Sequence, residues 1–195
     1  MIVSTPRTHH FVDVARLPKN PQVVDAGACR GSFCMDMLEI CPDAQIVAFE
    51  PCPENYAELL KVNITAVSVN AAVVGEKCGP MRFTNYRSGS KGYMKKGHVV
   101  GHKPPPEERY TTEEITVDTI PIAEIVGDGV DYLKLDVEGA EYGIMENLKG
   151  LNVGQISIEV HDDEAEIVRA LEVLGYYVWV RPIVRGIRTE VWGGK

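Results

Sequence analysis

The chain has 195 residues, of which 45% are hydrophobic and 25% are charged, and its formal net charge is −8. This length and composition predict one globular domain over residues 1–195 and exclude a disordered chain. The acidic charge argues against nonspecific binding to nucleic acid, because the phosphate backbone would repel it. No apolar run approaches the length of a membrane span, and residues 1–10 lack a signal-peptide core, so we expect a cytoplasmic protein.

The five cysteines all lie in the N-terminal half of the chain, at positions 29, 34, 41, 52 and 78. Their number is odd and no two form a CxxC pair, so we expect reduced thiols rather than a disulfide framework. A zinc site that also used His9 and His10 is the weaker alternative.

Apolar runs that alternate with helical patterns predict an α/β fold with a mostly parallel sheet. The predicted parallel strands are 22–27, 46–50, 67–73, 132–137 and 155–160. The predicted helices are 32–40, one that Pro51 and Pro53 open and that carries Tyr56, 140–148 and 163–174, the last with a capping box at its start. Two further strands, 176–180 and 189–192, predict an antiparallel hairpin at a sheet edge. These runs add up to a seven-stranded sheet flanked by helices.

A cationic insertion at about 77–112 interrupts this pattern. Predicted strands at 81–86 and 114–120 flank a long loop in this region. Residues 77–106 contain no Asp or Glu and seven Lys or Arg side chains. One interpretation is a mobile lid, with Lys95 and Lys96, that meets an anionic substrate. The other is a solvated loop whose charge offsets the acidic body.

The first predicted strand ends in Val23-Val24-Asp25-Ala26-Gly27-Ala28-Cys29-Arg30-Gly31. A Gly after a strand permits a sharp turn and a close backbone approach to a ligand, and a helix N-terminus follows. The spacing of Gly27 and Gly31 does not match GxGxxG, which argues against an NAD-linked dehydrogenase. A carboxylate at Asp25 would repel a pyrophosphate but suits a ligand with ammonium and sulfonium groups.

Glu50 ends the second predicted strand, where an acid can accept hydrogen bonds from the ribose hydroxyls of an adenosine. Asn70 and Ala71, near the end of the third predicted strand, are expected beside the adenine. These placements and the glycine turn predict a nucleoside-binding crevice at the carboxyl ends of the strands.

Asp136 ends the fourth parallel strand and should face the same crevice as Asp25, Glu50 and His161. Asp136 and Glu138 are candidates to hold a substrate hydroxyl or an ammonium group, and His161 is a candidate general base. The alternative for His161 and Glu138 is a helix-entry role, and that role is the expectation for Glu141. A divalent metal on Asp136, Glu138, Glu159 and His161 is a further alternative, but the predicted site includes no metal.

Three segments resemble the FkbM family of S-adenosylmethionine-dependent methyltransferases: residues 23–32, 47–51 and, most distinctively, Leu-Lys-Leu-Asp-Val-Glu-Gly-Ala-Glu at 133–141. Residues 116–120 and 158–161 fit as well. The resemblance implies a Rossmann-like class I fold and S-adenosylmethionine as cofactor. It also implies O-methylation of a hydroxyl on a sugar or other small molecule, with the acceptor undetermined.

We therefore predict cofactor contacts from Asp25, Gly27, Ala28, Gly31, Glu50, Asn70, Ala71 and Asp136, and catalytic roles for Asp136, Glu138 and His161. Two alternatives stay open: a non-catalytic protein that binds adenosine or S-adenosylmethionine, and a nucleic-acid methyltransferase. The cationic insertion is the one feature that favours the latter, and the net charge opposes it.

Overall fold

The computed structural model of the chain describes residues 1–76, 79–88, 96–99, 110–161, 163–183 and 188–195. The strands are β1 (Ile2–Ser4), β2 (Phe11–Asp13), β3 (Gln22–Ala26), β4 (Gln45–Phe49), β5 (Ala66–Val69), β6 (Ala72–Val74), β7 (Met81–Ser88), β8 (Lys96–Val99), β9 (Tyr110–Val117), β10 (Thr119–Pro121), β11 (Val130–Leu135), β12 (Val153–Val160), β13 (Tyr177–Ile183) and β14 (Arg188–Gly194). The α-helices are α1 (Ser32–Ile40), α2 (Pro53–Leu59), α3 (Ile122–Val126), α4 (Glu141–Glu146) and α5 (Glu164–Val173), and a 3-10 turn spans Val14–Arg16.

A seven-stranded sheet forms the centre of the described structure, in the order β13-β14-β12-β11-β3-β4-β5. The five strands from β12 to β5 are parallel to one another. Strand β14 pairs antiparallel with both β12 and β13, which places β13 at the edge. This arrangement confirms the predicted mostly parallel sheet and its antiparallel C-terminal hairpin, and it is the Rossmann-like class I fold that the sequence predicted.

The two faces of the sheet are covered by different elements, because successive side chains of a strand point to opposite sides. One face packs its apolar residues, including Leu133, Leu135 and Ile156, with residues of α3, α4 and α5. The opposite face packs Val23 and Tyr132 with residues of α1, α2 and the first strands of the chain. The candidate site lies on this second face, at the carboxyl ends of the parallel strands.

Helix α1 spans the predicted range and is anchored by Phe33 and Met37, which are almost completely buried. It begins after Gly31, which has the left-handed φ of 82°. A Cβ at Gly31 would lie 2.8 Å from the Leu59 side chain of α2, so this turn favours glycine both for its φ and for its space. The helix therefore starts directly beneath the glycine turn.

Local structure differs from the sequence prediction at residues 67–73, which were expected to form one strand. The chain instead breaks at Asn70 and Ala71 into β5, which pairs with β4, and β6, which pairs with β10 in a separate two-stranded sheet. The Asn70 side chain donates to the carbonyl oxygens of Glu50 and Pro51, and these bonds hold the break. The described cysteines (29, 34, 41 and 52) are free thiols, as predicted.

Residues 5–13, called here the N-terminal segment, cross the site-bearing face of the sheet, which the sequence did not predict. Tyr132 Oη donates to the Phe11 carbonyl, and the Gln155 amide exchanges two hydrogen bonds with the Asp13 backbone. The buried carboxylate of Asp36 on α1 accepts from Arg7 and Thr8. The segment is thus held on both the sheet and α1.

The described part of the cationic insertion is a three-stranded antiparallel sheet in which β7 pairs with both β8 and β9. Lys95 and the side chain of Lys96, which the lid interpretation uses, lie outside the described residues. None of the described helices is long and apolar enough to cross a bilayer.

Candidate active site

The glycine turn after β3 is shaped by a very close approach of two backbones. Gly27 has a φ of 80°, and a Cβ built on it would lie 1.8 Å from the carbonyl oxygen of Asp136. No side chain fits there without moving the neighbouring strand end. The turn after β3 and the turn after β11 are therefore in direct contact, which brings residues 27–31 beside Asp136.

A buried lysine holds this contact together. Lys134 Nζ lies 2.9 Å from Asp25 Oδ1 and donates to the Gly27 carbonyl at 2.6 Å. It is also 3.9 Å from Asp136 Oδ2. Burial opposes the charge on Lys134, but the Asp25 and Asp136 carboxylates outweigh it and hold the pKa of Lys134 above its ordinary value. Asp25 is completely buried and acts on the turn through Lys134.

Glu50 follows β4 and is 5% exposed. Its Oε2 accepts from Cys29 N at 2.8 Å, and its Oε1 accepts from Cys52 N at 2.9 Å. Burial, only partly offset by these hydrogen bonds, raises the pKa of Glu50 to about 7. Glu50 thus connects the turn after β3 to the start of α2 and still borders open space.

Four carboxylates surround the imidazole of His161. Nδ1 lies 2.8 Å from Glu141 Oε1, and Nε2 lies 3.1 Å from Glu138, 3.5 Å from Glu159 and 4.0 Å from Asp136. Burial opposes protonation, but the hydrogen bond to Glu141, the nearby carboxylate of Glu159 and the charges of Glu138 and Asp136 raise the pKa of His161 to about 10. At neutral pH His161 is an imidazolium, so it cannot accept a proton in this arrangement.

Ligand atoms of Asp136, Glu159 and His161 lie within 4.8 Å of one another, a grouping that could hold a metal ion. The structure thus brings together most of the set that the sequence offered as an alternative metal site. The proton on His161 already supplies a cation between these carboxylates, and a metal would have to displace it. We assign no metal here.

A cleft of about 330 Å³ joins these groups at the carboxyl ends of β3, β4 and β11. Five of the residues predicted for the site line it: Gly27, Ala28, Glu50, Asp136 and Glu138. The other predicted residues, Asp25, Gly31, Asn70, Ala71 and His161, are not among its lining residues. These residues lie behind or beside the cleft wall. Asp25 contacts the wall through Lys134, and His161 contacts it through Glu138.

A model of the methyltransferase FkbM domain matches residues 25–178, most of the chain. The chain belongs to the FkbM methyltransferase family. It is similar to methyltransferase sdnD of Sordaria araneosa, with 31% identity over 174 residues, which cover 74% of this chain and 66% of that protein.

Among solved structures, the fold is similar to a methyltransferase FkbM from Methylobacillus flagellatus, with a TM-score of 0.58 and 14% identity. That match covers 90% of this chain and 44% of the other. A fibrillarin from Aeropyrum pernix in complex with S-adenosyl-L-methionine gives a TM-score of 0.52 and 13% identity, and covers 91% of this chain and 68% of that one. At these identities the structural likeness shows a shared fold.

The three segments on which the FkbM resemblance rests meet at this cleft. Residues 23–32 and 133–141 form the two touching turns, and residues 47–51 bring in Glu50.

Two lining residues that are not glycine, Cys29 and Glu138, have positive φ values of 51° and 48°. Strained backbone of this kind clusters at functional sites of proteins, which fits the position of both residues.

Sequence reasoning missed three groups at this FkbM site. A signal existed for Lys134, because a lysine inside an otherwise apolar strand needs a buried carboxylate, and Asp25 lies in the next strand. Glu141 was expected to be a helix-entry acid, yet it is fully buried and binds both His161 and the Gly139 amide. His10 also lines the cleft, and no local pattern indicates it.

Proposed function

We propose that this FkbM-family protein is an S-adenosylmethionine-dependent methyltransferase that methylates a hydroxyl oxygen of a sugar or other small molecule. The observation that carries the proposal is the position of the Glu50 carboxylate, which borders the cleft beside the glycine turn after β3. An acid at this place suits the ribose hydroxyls of an adenosine. The fibrillarin of the same fold holds bound S-adenosylmethionine, which supports the choice of cofactor.

The residues present fit this cofactor. Gly27 lets the turn after β3 touch the turn after β11, which brings the cleft-lining backbone of this turn beside Asp136. Asp136 Oδ1 is buried and has no hydrogen-bond partner among the described residues, so it offers an acceptor to the amino group of the cofactor. In this proposal Glu50 holds the ribose, residues 27–31 hold the methionine end, and Asn70 and Ala71 fix the wall at the adenine. When bound, S-adenosylmethionine supplies a methyl group activated by the positive sulfur.

The carboxylates on the β11 side of the cleft serve the acceptor in this proposal. Glu138 lines the cleft and can accept a hydrogen bond from a hydroxyl group. The proton on His161 balances the charge of Glu138 and Asp136 and fixes their positions. The main contribution of these residues is to hold the acceptor oxygen in line with the methyl carbon. A small uncharged or weakly charged acceptor also agrees with the acidic chain.

The first experiment is a calorimetric titration of the full chain with S-adenosylhomocysteine, with NAD as the control ligand. We expect binding of the first and none of the second. Glu50→Gln should abolish that binding, whereas Glu54→Gln, an exposed acid of α2, should bind like the wild type. Equal binding by both variants would contradict the proposed role of Glu50.

The second experiment measures transfer of tritium from [methyl-³H]S-adenosylmethionine to a panel of sugars, phenols and hydroxy acids. Transfer to at least one member, with the label in an O-methyl group, is expected. Cofactor binding without transfer to any hydroxyl would favour the non-catalytic alternative, and label in an added tRNA or rRNA would favour the nucleic-acid methyltransferase.

A further inference from the structure

The histidine that lines the cleft is His10, whereas His161 lies behind Glu138. His10 is 1% exposed as a residue, yet it contributes to the cleft wall with Gly27, Lys134 and Glu159. Its ring packs edge-on against Phe33, with 5.5 Å between the ring centroids. The burial of its ring and its place in the N-terminal segment fix the orientation of the imidazole.

One carboxylate and one hydroxyl group determine which ring nitrogen of His10 carries a proton. Nδ1 lies 2.9 Å from Glu190 Oε1 and 3.0 Å from Ser157 Oγ. The Ser157 hydroxyl donates to the same Glu190 oxygen, and a carboxylate accepts only, so Nδ1 is the atom that donates to Glu190. When the ring is neutral, with its proton on Nδ1, the free electron pair is on Nε2, where a molecule in the cleft can use it.

Glu190 is completely buried, and its side-chain hydrogen-bond partners in the described part of the chain are His10 and Ser157. A positive charge that arises on His10 would therefore be stabilised by an adjacent carboxylate in a region of low dielectric. His161 differs, because it already carries a proton among four carboxylates. Of the two histidines, His10 is the one arranged to gain a proton.

The strand order places His10 on the acceptor side of the cleft. Glu50 follows β4, Gly27 follows β3, Asp136 follows β11, and Glu159 lies near the end of β12, directly opposite Glu190 of β14. Neighbouring strands are about 4.8 Å apart, so β4 and β12 are separated by roughly 14 Å. A cofactor held at β4, β3 and β11 leaves the β12–β14 side, where His10 lies, for the acceptor.

We propose that His10 is the general base of the methyl transfer and that Glu190 is its positioning residue, an inference that rests on the proposed function. As the acceptor oxygen forms its bond to the methyl carbon, the carbon–sulfur bond breaks and S-adenosylhomocysteine leaves with that electron pair. The hydroxyl proton passes to Nε2 of His10, and Glu190 balances the resulting charge. Water then removes the proton from His10 after the methylated product departs.

The test compares two reactions at the same methyl position. The forward reaction is tritium transfer to the hydroxyl panel described above, which needs a base. The comparison reaction is the methylation of S-adenosylhomocysteine by methyl iodide to give S-adenosylmethionine. It needs no base, because iodide leaves as an anion and no proton is removed. A base contributes about 10²- to 10⁴-fold to a rate, so loss of the base should affect the first reaction alone.

His10→Asn is the decisive variant, because its amide nitrogen can occupy the place of Nδ1 and keep the bond to Glu190 while Nε2 is removed. We expect a fall of at least about 100-fold in the forward kcat, with an unchanged S-adenosylmethionine KM and an unchanged methyl iodide reaction. Glu190→Gln should lower the forward kcat by a smaller factor. The matched control is His9→Asn, the exposed neighbouring histidine, which should retain both reactions.

Three results would overturn the assignment. An unchanged forward rate in His10→Asn would show that no base is lost, and a parallel loss of both reactions would show that His10 supports the fold or the cofactor site. A wild-type protein that performs the methyl iodide reaction but methylates no hydroxyl would refute the proposed O-methylation, and the role of His10 with it.

Discussion

The sharpest quantitative prediction concerns Glu50, whose carboxylate borders the cleft and is costly to bury. Its pKa is raised from the ordinary 4.5 to about 7, chiefly by burial. A carboxyl that binds its proton more tightly when folded lowers the stability of the protein as pH rises between these two values. The destabilisation is absent well below pH 4.5 and complete above pH 7.

The change in pKa corresponds to about 3 kcal/mol, at about 1.4 kcal/mol for each tenfold change in proton affinity. Glu50→Gln removes the titration and keeps the shape of the side chain. The free energy of unfolding of the variant minus that of the wild type should therefore increase by about 2.5 kcal/mol between pH 5 and pH 8. Any constant effect of altered hydrogen bonds to Cys29 and Cys52 cancels from this increase.

The assay is guanidinium denaturation of the ligand-free protein at several pH values, with Glu172→Gln of α5 as the control. The control difference should change far less with pH, because the Glu172 side chain is exposed to solvent. A flat difference for Glu50→Gln, or one that decreases toward pH 8, would refute the reasoning about desolvation. A Glu50→Gln protein that is more stable at pH 8 but does not bind S-adenosylhomocysteine would display the conflict between function and stability directly.

Three further predictions concern the same edge of the sheet. The dissociation constant of S-adenosylhomocysteine should be about tenfold larger at pH 6 than at pH 8, because protonated Glu50 presents a poorer acceptor to the ribose hydroxyls. Calorimetry that showed no pH dependence would contradict this. Lys134→Met should lower the free energy of unfolding by about 3–5 kcal/mol, as measured by denaturant unfolding, since it leaves Asp25 buried without its ion-pair partner. Adding Asp25→Asn should recover much of this loss, and no recovery would count against the ion pair as its cause. Gly27→Ala should weaken S-adenosylhomocysteine binding more than about tenfold and destabilise the protein by about 2 kcal/mol or more, because the alanine Cβ would overlap the Asp136 carbonyl. Wild-type binding by this variant would show that the two turns separate easily.

Much of the fold could be predicted from the sequence, because its signals are local. Helix α1 matches its predicted range 32–40, since Phe33 and Met37 repeat at helical spacing and Pro42 follows. The parallel strands are short apolar runs bounded by turns, and the end of each run places Glu50 and Asp136 without knowledge of the partner strands. The α5 cap at Asp163 was also predicted, although its side chain bonds the amide of Ala165 rather than that of Glu166.

The remainder depends on partners that are distant in sequence. The break at Asn70 is held by a bond to the Glu50 carbonyl, twenty residues earlier, so periodicity alone reads one continuous strand there. The protonation of His161 depends on Glu159 beside it and on the carboxylates of residues 136–141, and a pattern of acids in the sequence does not distinguish a neutral base from an imidazolium. His10 contacts Ser157 and Glu190, and no sequence pattern near His10 indicates either partner.

The bond between His10 and Glu190 also constrains the order of events during biosynthesis. The two residues are separated by 180 positions, so at about 5–20 residues per second the ribosome needs roughly 10 to 40 s to supply the partner after His10 is made. Until then the N-terminal segment has no β14 to lie against, and the central parallel strands can form before that wall of the cleft does. The nascent protein therefore passes through a stage in which the strand ends that carry Gly27, Glu50 and Asp136 have been made but the β14 wall has not.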